Sequence, residues 1–338
     1  MIRALLVSLA LAVVLHGGDA ALPPHQGTVV LPDREMANVW IISETSESLA
    51  HTLDEKRDSP VTTLERKRYL RVEYSSPKEL NWLKGDLAAG KGQWAEAGVH
   101  FLNATQKPDS WYTRENSFLR AAEAFLLADK PDDVLKAIDG LLAVNAKSVQ
   151  LPRLTYLRGQ ALRKKGDKDG ALKAFGELAK KADIESLALG ALGQGELLSA
   201  DGKHDEAAKA LAAAFVKLDP AKDSALFSQI GIALAGSQQA ASQSAPAIET
   251  LRRLAYGAAD GATRARAHLT WAKLLAAGDA TIFEAFDHAA VAMSLRDAGA
   301  AGDAAAQLAR QLSARIDKLP EAQASGDVKA EYRRYLTR

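Results

Sequence analysis

The chain reads as mainly α: a solenoid of antiparallel helix pairs preceded by a small β domain. Three observations predict this. A pattern of small and large apolar residues recurs every 36 or 37 positions, in the range of helical repeats. Residues 27–76 differ, carrying β-branched and aromatic residues in short runs divided by turn signals. The composition, 47% apolar and 25% charged with 6% aromatic, is that of an ordinary folded protein, and its alanine content favours close-packed helices over a sheet-rich core.

Residues 1–20 read as a secretory signal peptide. Arg3 supplies a positive start, Ala4 to Leu15 an apolar run, and Gly18-Asp19-Ala20 a small-x-small cleavage site. The run is short for a membrane span, which needs ~20 residues, and no later stretch is long and apolar enough to serve. No cysteine follows to accept a lipid, so the mature chain is expected to be periplasmic or secreted. The absence of cysteine also excludes disulfides, thiol catalysis and thiolate metal sites. A net charge of +1 supplies no overall field to attract nucleic acid or an anionic membrane.

Residues 21–76 form the expected β domain. Strands are predicted at Thr28 to Leu31, Ala37 to Ser43, Ser48 to Leu53, Val61 to Leu64 and Tyr69 to Tyr74, the last alternating Leu70, Val72 and Tyr74 against Arg71 and Glu73. Pro32-Asp33, Thr45-Ser46-Glu47 and Arg57-Asp58-Ser59-Pro60 supply turns between them. Five short strands in so few residues point to a small SH3-like or Sm-like barrel.

From residue 77 to 338 the chain becomes helical. The stretch Leu154 to Ala179 carries the motif most clearly: Gly159, the turn Gly166-Asp167, Ala171 and Phe175. The first small residue recurs as Gly85, Ala122, Gly159, Gly195 and Gly231, and the turn as Gly92, Asp129, Gly166 and Gly202. Ala97, Val134, Ala171 and Ala207 open the second helices, and Phe101, Ile138, Phe175 and Leu211 follow them. Pro131 is well placed to start a helix. In the fifth pair the string Gly236 to Pro246, rich in Ser, Gln and Ala, predicts a longer, mobile loop. A sixth pair spans Thr263 to Arg296 with its second helix offset. Helices from about Ala304 and Asp327 are expected to cap the stack with Gln307, Arg310, Gln311, Arg315, Arg333 and Arg334.

This pattern resembles the tetratricopeptide repeat (TPR), whose unit is ~34 residues. The block Ala37 to Pro77, followed directly by helix pairs, looks like the small N-terminal β domain of exported bacterial TPR proteins. The resemblance implies a superhelical stack whose concave face, lined by the first helix of each pair, holds a protein or peptide. Carried over position by position, it offers Trp82 and Asp86, Leu119 and Arg120, Tyr156, Gln160, Arg163 and Lys164, and Leu192 and Glu196 as that groove. The lysine and asparagine pattern with which some TPR domains clamp a C-terminal carboxylate is not present.

Motifs for chemistry are better explained by the repeat. Gly85 to Gly92 fits G-x-x-x-x-G-K but has Gly92 where a phosphate loop needs Ser or Thr, and no buried strand precedes it. Asp167-Lys168-Asp169-Gly170 lacks the third acidic ligand and closing glutamate of a calcium loop. Asn103-Ala104-Thr105 is a glycosylation triplet inside a predicted helix. His51, His100, His204, His268 and His288 have no histidine three or four residues away to form a metal pair, and no hydrolase, zincin or dinucleotide motif occurs. Arg66, Lys67, Arg68 and Arg71 beside Tyr69 form a basic edge, read as a solvated turn rather than a nucleic-acid face.

The expectation is therefore a non-enzymatic exported scaffold that binds proteins or peptides through its solenoid, without metal or cofactor. The alternative is a carbohydrate or small-ligand binding module that uses the β domain.

Overall fold

The computed structural model describes residues 22–45 and 47–336; the expected signal peptide lies outside them. Five strands come first, β1 (His25–Val30), β2 (Glu35–Glu44), β3 (Ser48–Thr52), β4 (Thr62–Glu65) and β5 (Arg71–Tyr74), with a 3-10 turn, Arg66–Arg68, before the last. They form one antiparallel sheet in the order β4-β3-β2-β1-β5. Val29, Val39, Ile41 and Leu49 point to its buried face, at the alternate positions that a pleated strand requires.

Fourteen α-helices follow among the described residues: α1 (Leu80–Gly90), α2 (Trp94–Ala104), α3 (Trp111–Leu127), α4 (Pro131–Val144), α5 (Leu151–Lys164), α6 (Lys168–Ala179), α7 (Ile184–Ala200), α8 (His204–Phe215), α9 (Ser224–Ala240), α10 (Ser244–Gly257), α11 (Gly261–Leu275), α12 (Ile282–Ser294), α13 (Gly299–Ile316) and α14 (Gly326–Tyr335). The first five pairs turn on a residue of positive φ: Gly92 (73°), Asp129 (58°), Gly166 (81°), Gly202 (74°) and Ser242 (59°). A left-handed residue ends one helix and redirects the chain into the next. Five residues past each turn, Ala97, Val134, Ala171, Ala207 and Ala247 are completely buried, and nine past it, Phe101, Ile138, Phe175, Leu211 and Leu251 are buried too.

The small residues of the first helices make room for these large ones. A Cβ added at Gly85 would come within 2.8 Å of Phe101, and one at Gly159 within 2.3 Å of Phe175. Within the apparent phosphate-loop string Gly85 is thus packed and Gly92 turns the chain, while Gly90, where an added Cβ meets nothing within 4 Å, ends α1.

The fifth pair corrects the expectation of a long loop. α9 runs through to Ala240 and α10 starts at Ser244, so Gly236 to Pro246 is mostly helix around the same tight turn, with Ser242 in place of glycine. The small residue in register is Ala235, not Gly231. From Gly202 to Ser242 the step is 40 residues, and the extra length lies between the pairs, in residues 216–223. The composition of the string Gly236 to Pro246 is that of a helix, since Ala and Gln are good helix formers and Ser only somewhat weaker.

In the sixth pair a 3-10 turn, Asp279–Thr281, precedes α12 and accounts for the expected offset. Over α13 and α14, Gln307, Arg310, Gln311, Arg333 and Arg334 are exposed, while Arg315 donates to the Ala276 carbonyl and to Asp279.

The chain divides into two compact units, Met1–Ala128 with Lys136–Gln150, and Asp129–Leu135 with Leu151–Arg338. In the first, the sheet closes on α3: Trp111 joins the apolar cluster of the sheet, and Tyr112 stacks on Tyr74 with centroids 3.9 Å apart. The loop after α4 returns to the sheet through a Thr45–Ser148 bridge. There Ser148 and Asn145 donate to buried Glu115 at 2.6 and 2.8 Å. In the second unit one apolar core runs from Leu192 through Phe215, Phe227 and Leu254 to Trp271, and another lies around Phe286, Leu312 and Ile316.

Candidate functional site

The residues offered as a groove fall into both units. In the first, α1 and α3 bring Asp86 and Arg120 together, with the guanidinium 3.0 Å from the carboxylate and over the Phe101 ring at 5.1 Å. Trp82 is buried edge-on against Phe101 and belongs to the core, as does Leu119. Beside the ion pair an open cavity of about 400 Å³ is lined by Asp86, Ala89, Gly90, Trp94, Phe101, Arg120, Glu123, Ala124 and Leu127.

In the second unit Tyr156, Gln160, Arg163 and Glu196 form one network across α5 and α7. Tyr156 and Gln160 donate to the Glu196 carboxylate at 3.3 and 2.5 Å. Arg163 donates to Gln160 at 2.7 Å and lies 3.9 Å from Glu196. Burial, then the adjacent carboxylate, raise the Tyr156 phenol far above its ordinary range, so Tyr156 stays a neutral donor. Arg163 and Glu196 then line an open cavity of about 350 Å³ with Gly195, Ser199, His204, Leu211, Ala233, Gly236, Ser237 and Ala240. Leu192 is buried in the core.

Lys164 is not in this network. It pairs with Asp129 at 2.6 Å, one rung of a polar ladder that also holds Lys165–Asp132 and Lys168–Asp201. Such exposed pairs contribute only ~0.2–1 kcal/mol each.

The two cavities occupy equivalent positions in the repeat. Counted from the left-handed turn, each is walled by the residues six before (Asp86, Glu196), three before (Ala89, Ser199), two after (Trp94, His204) and nine after (Phe101, Leu211). The next first helix adds the residues nine, six, five and two before its own turn: Arg120, Glu123, Ala124 and Leu127 in one, Ala233, Gly236, Ser237 and Ala240 in the other. The two-after position was missed as a wall in the sequence, although Trp94 and His204 stand at that same offset.

Other arrangements lie outside the groove. His25 joins Ser110 across 85 residues at 2.8 Å and the Ser75 carbonyl at 2.8 Å. Burial lowers the His25 pKa; the neutral ring donates from Nε2 to the carbonyl and accepts the Ser110 hydroxyl at Nδ1. Ser110 caps α3 by accepting from the Thr113 amide, so its hydroxyl has a structural task. These residues, with Trp40, Glu55, Lys78 and Asp109, line a cavity of about 210 Å³. On the basic edge, Lys67 pairs with Glu65 at 2.8 Å and Arg66 covers the Tyr69 ring at 4.7 Å. Among the described residues no group of three or more His, Cys, Asp or Glu could hold a metal ion, and no helix is long and apolar enough to cross a membrane. The structure also brings His268 and His288 into contact, a pair that local spacing could not reveal. Compared with protein-family models and with curated proteins, the chain matches none.

Proposed function

We propose that this chain is an exported, non-enzymatic scaffold, a TPR-like α-solenoid behind an SH3/Sm-like β domain, which holds extended segments of other proteins between its helix pairs. The observation that carries this reading is the recurrence of one groove at the same repeat positions with different walls. A catalytic cleft is built once, whereas a peptide-binding stack repeats a shape and varies its side chains. Trp94, Phe101 and Leu127 give the first cavity large apolar walls, while Ser199, Gly236, Ser237 and Ala240 give the second small ones. Arg120 and Arg163 each neutralise a carboxylate that would otherwise repel an acidic segment.

The test is photo-crosslinking from single groove positions, Ala89 and Ser199, against the outward positions Lys173 and Lys209. Partner proteins crosslinked from the groove and not from the outer face are expected, with loss of the Ser199 product in Tyr156→Ala/Arg163→Ala. Equal capture from both faces would overturn the proposal.

A second reading, a small polar ligand or carbohydrate held by the β domain, rests on the cavity beside Trp40. That cavity is completed by Lys78, Asp109 and Ser110, so its test is saturable binding by the full chain, lost in Trp40→Ala.

A further inference from the structure

We propose that His268 and His288 form a proton-sensitive clasp, holding α11 against α12 with a single hydrogen between the two rings and releasing the pair when both rings become charged. The two Nδ1 atoms lie 3.0 Å apart, a hydrogen-bond distance at which one nitrogen donates and the other accepts. A second hydrogen does not fit between them, and two imidazolium ions so close repel.

The surroundings leave the rings little room to adjust. His288 stacks on Trp271 with centroids 3.8 Å apart, and Tyr256 from α10 meets His268 edge-on at 5.8 Å. His268 is 4% exposed. The charged groups that act on the pair are Arg264 on α11, which opposes a charge on His268, and Glu284 on α12, whose carboxylate lies 3.8 Å from His288 Nε2. No charged side chain of α13 acts on either ring among the described residues.

Burial first, then His288 and Arg264, hold the His268 pKa down at about 4, and burial lowers His288 against the pull of Glu284. A pKa lowered on folding favours the folded state above the ordinary histidine value of 6.5, and that contribution disappears as pH falls from there toward about 4. The pair titrates together. Release would also loosen α13, because Leu269, Ala292 and Ala305 form one small core.

The experiment is hydrogen exchange on the full chain between pH 7.5 and 4.5, corrected for the intrinsic pH dependence of exchange. In the wild type, amides of α11 and α12 should speed by at least about tenfold more than those of α5 to α8, since each unit by which folding lowers a pKa changes the equilibrium about tenfold once the pH has fallen that far. His288→Gln, which can still donate or accept but cannot become charged, should match the wild type at pH 7.5 and keep only the smaller acid-induced excess that burial of His268 by itself supplies. The same excess in the variant, or none in the wild type, would overturn the proposal. Should the variant fail to fold, histidine NMR titration of the wild type decides. One ring titrating well below its ordinary value supports the clasp, and two independent titrations near 6.5 refute it.

Discussion

The indole of Trp111, at the start of α3, donates its Nε1 hydrogen to the main-chain carbonyl of Ile41 in β2 at 2.7 Å. With the ring packed among Val29, Val39 and Leu49, this bond joins the sheet to the second helix pair. The sheet's core is therefore completed by a helix from outside the β region.

Trp111→Phe should cost about 1–3 kcal/mol, mainly by leaving the Ile41 carbonyl buried and unpaired. Trp111→Ala should cost about 3–5 kcal/mol. Urea unfolding followed in the first unit measures both. Deleting residues 22–76 should behave like the larger change, by exposing Trp111 and Tyr112; a truncated chain whose α1–α3 remain as stable as before would refute this dependence.

Phe175 lies between two glycines, and a Cβ would approach it within 2.3 Å from Gly159 and 2.2 Å from Gly193. Gly193→Ala should destabilise by about 1–3 kcal/mol through overpacking. Gly236→Ala, where an added Cβ meets nothing within 4 Å, should instead stabilise by about 0.5–1 kcal/mol through helix propensity. Opposite signs in thermal melts are expected, and stabilisation at both sites would mean that helix propensity alone governs them.

Ser242 turns the fifth pair at a φ of 59°, a conformation that costs a side-chain-bearing residue about 1–2 kcal/mol and costs glycine almost nothing. Ser242→Gly should raise the unfolding midpoint by the part of that cost not offset by the greater freedom of the unfolded chain. Ser242→Val should lower it, and a melt in which both variants move together would argue against the turn as the cause.

Glu44 is buried and accepts hydrogen bonds from Tyr69 at 2.9 Å and from Tyr74. Burial raises its pKa above the ordinary 4.5 despite these bonds. A raised carboxylate contributes stability that is present below 4.5 and lost as pH rises through the folded-state value. Measured against the wild type, Glu44→Gln should therefore gain relative stability as pH rises from 4.5 toward neutrality. Urea midpoints at four or five pH values test this, and a pH-independent difference would show that folding does not raise the carboxyl's pKa as argued.

The five strands and most helix pairs were legible in the sequence because each depends on residues close together in the chain. Gly166, Ala171 and Phe175 are set by one turn and its two flanking helices, so a period of 36 or 37 residues reveals them. The fifth pair was misread where that period slipped, because Ser242 can occupy a turn that the eye expects glycine to mark. In the candidate groove, Asp86 meets Arg120 and Tyr156 meets Glu196, pairings that no single repeat records, while Trp82 turns inward because it has Phe101 to pack against.

The order of the elements, the turns between helices and the residues that must be buried to pair them are all consequences of local periodicity, and so are legible in the chain. Packing between elements is what lets α3 complete the sheet, sets Trp94 and His204 as walls of equivalent cavities, and brings His268 against His288. Those contacts join residues 20 or more positions apart on different helices or strands, or walls drawn from three or four helices. Their geometry depends on how the elements pack, which no periodicity within one element records.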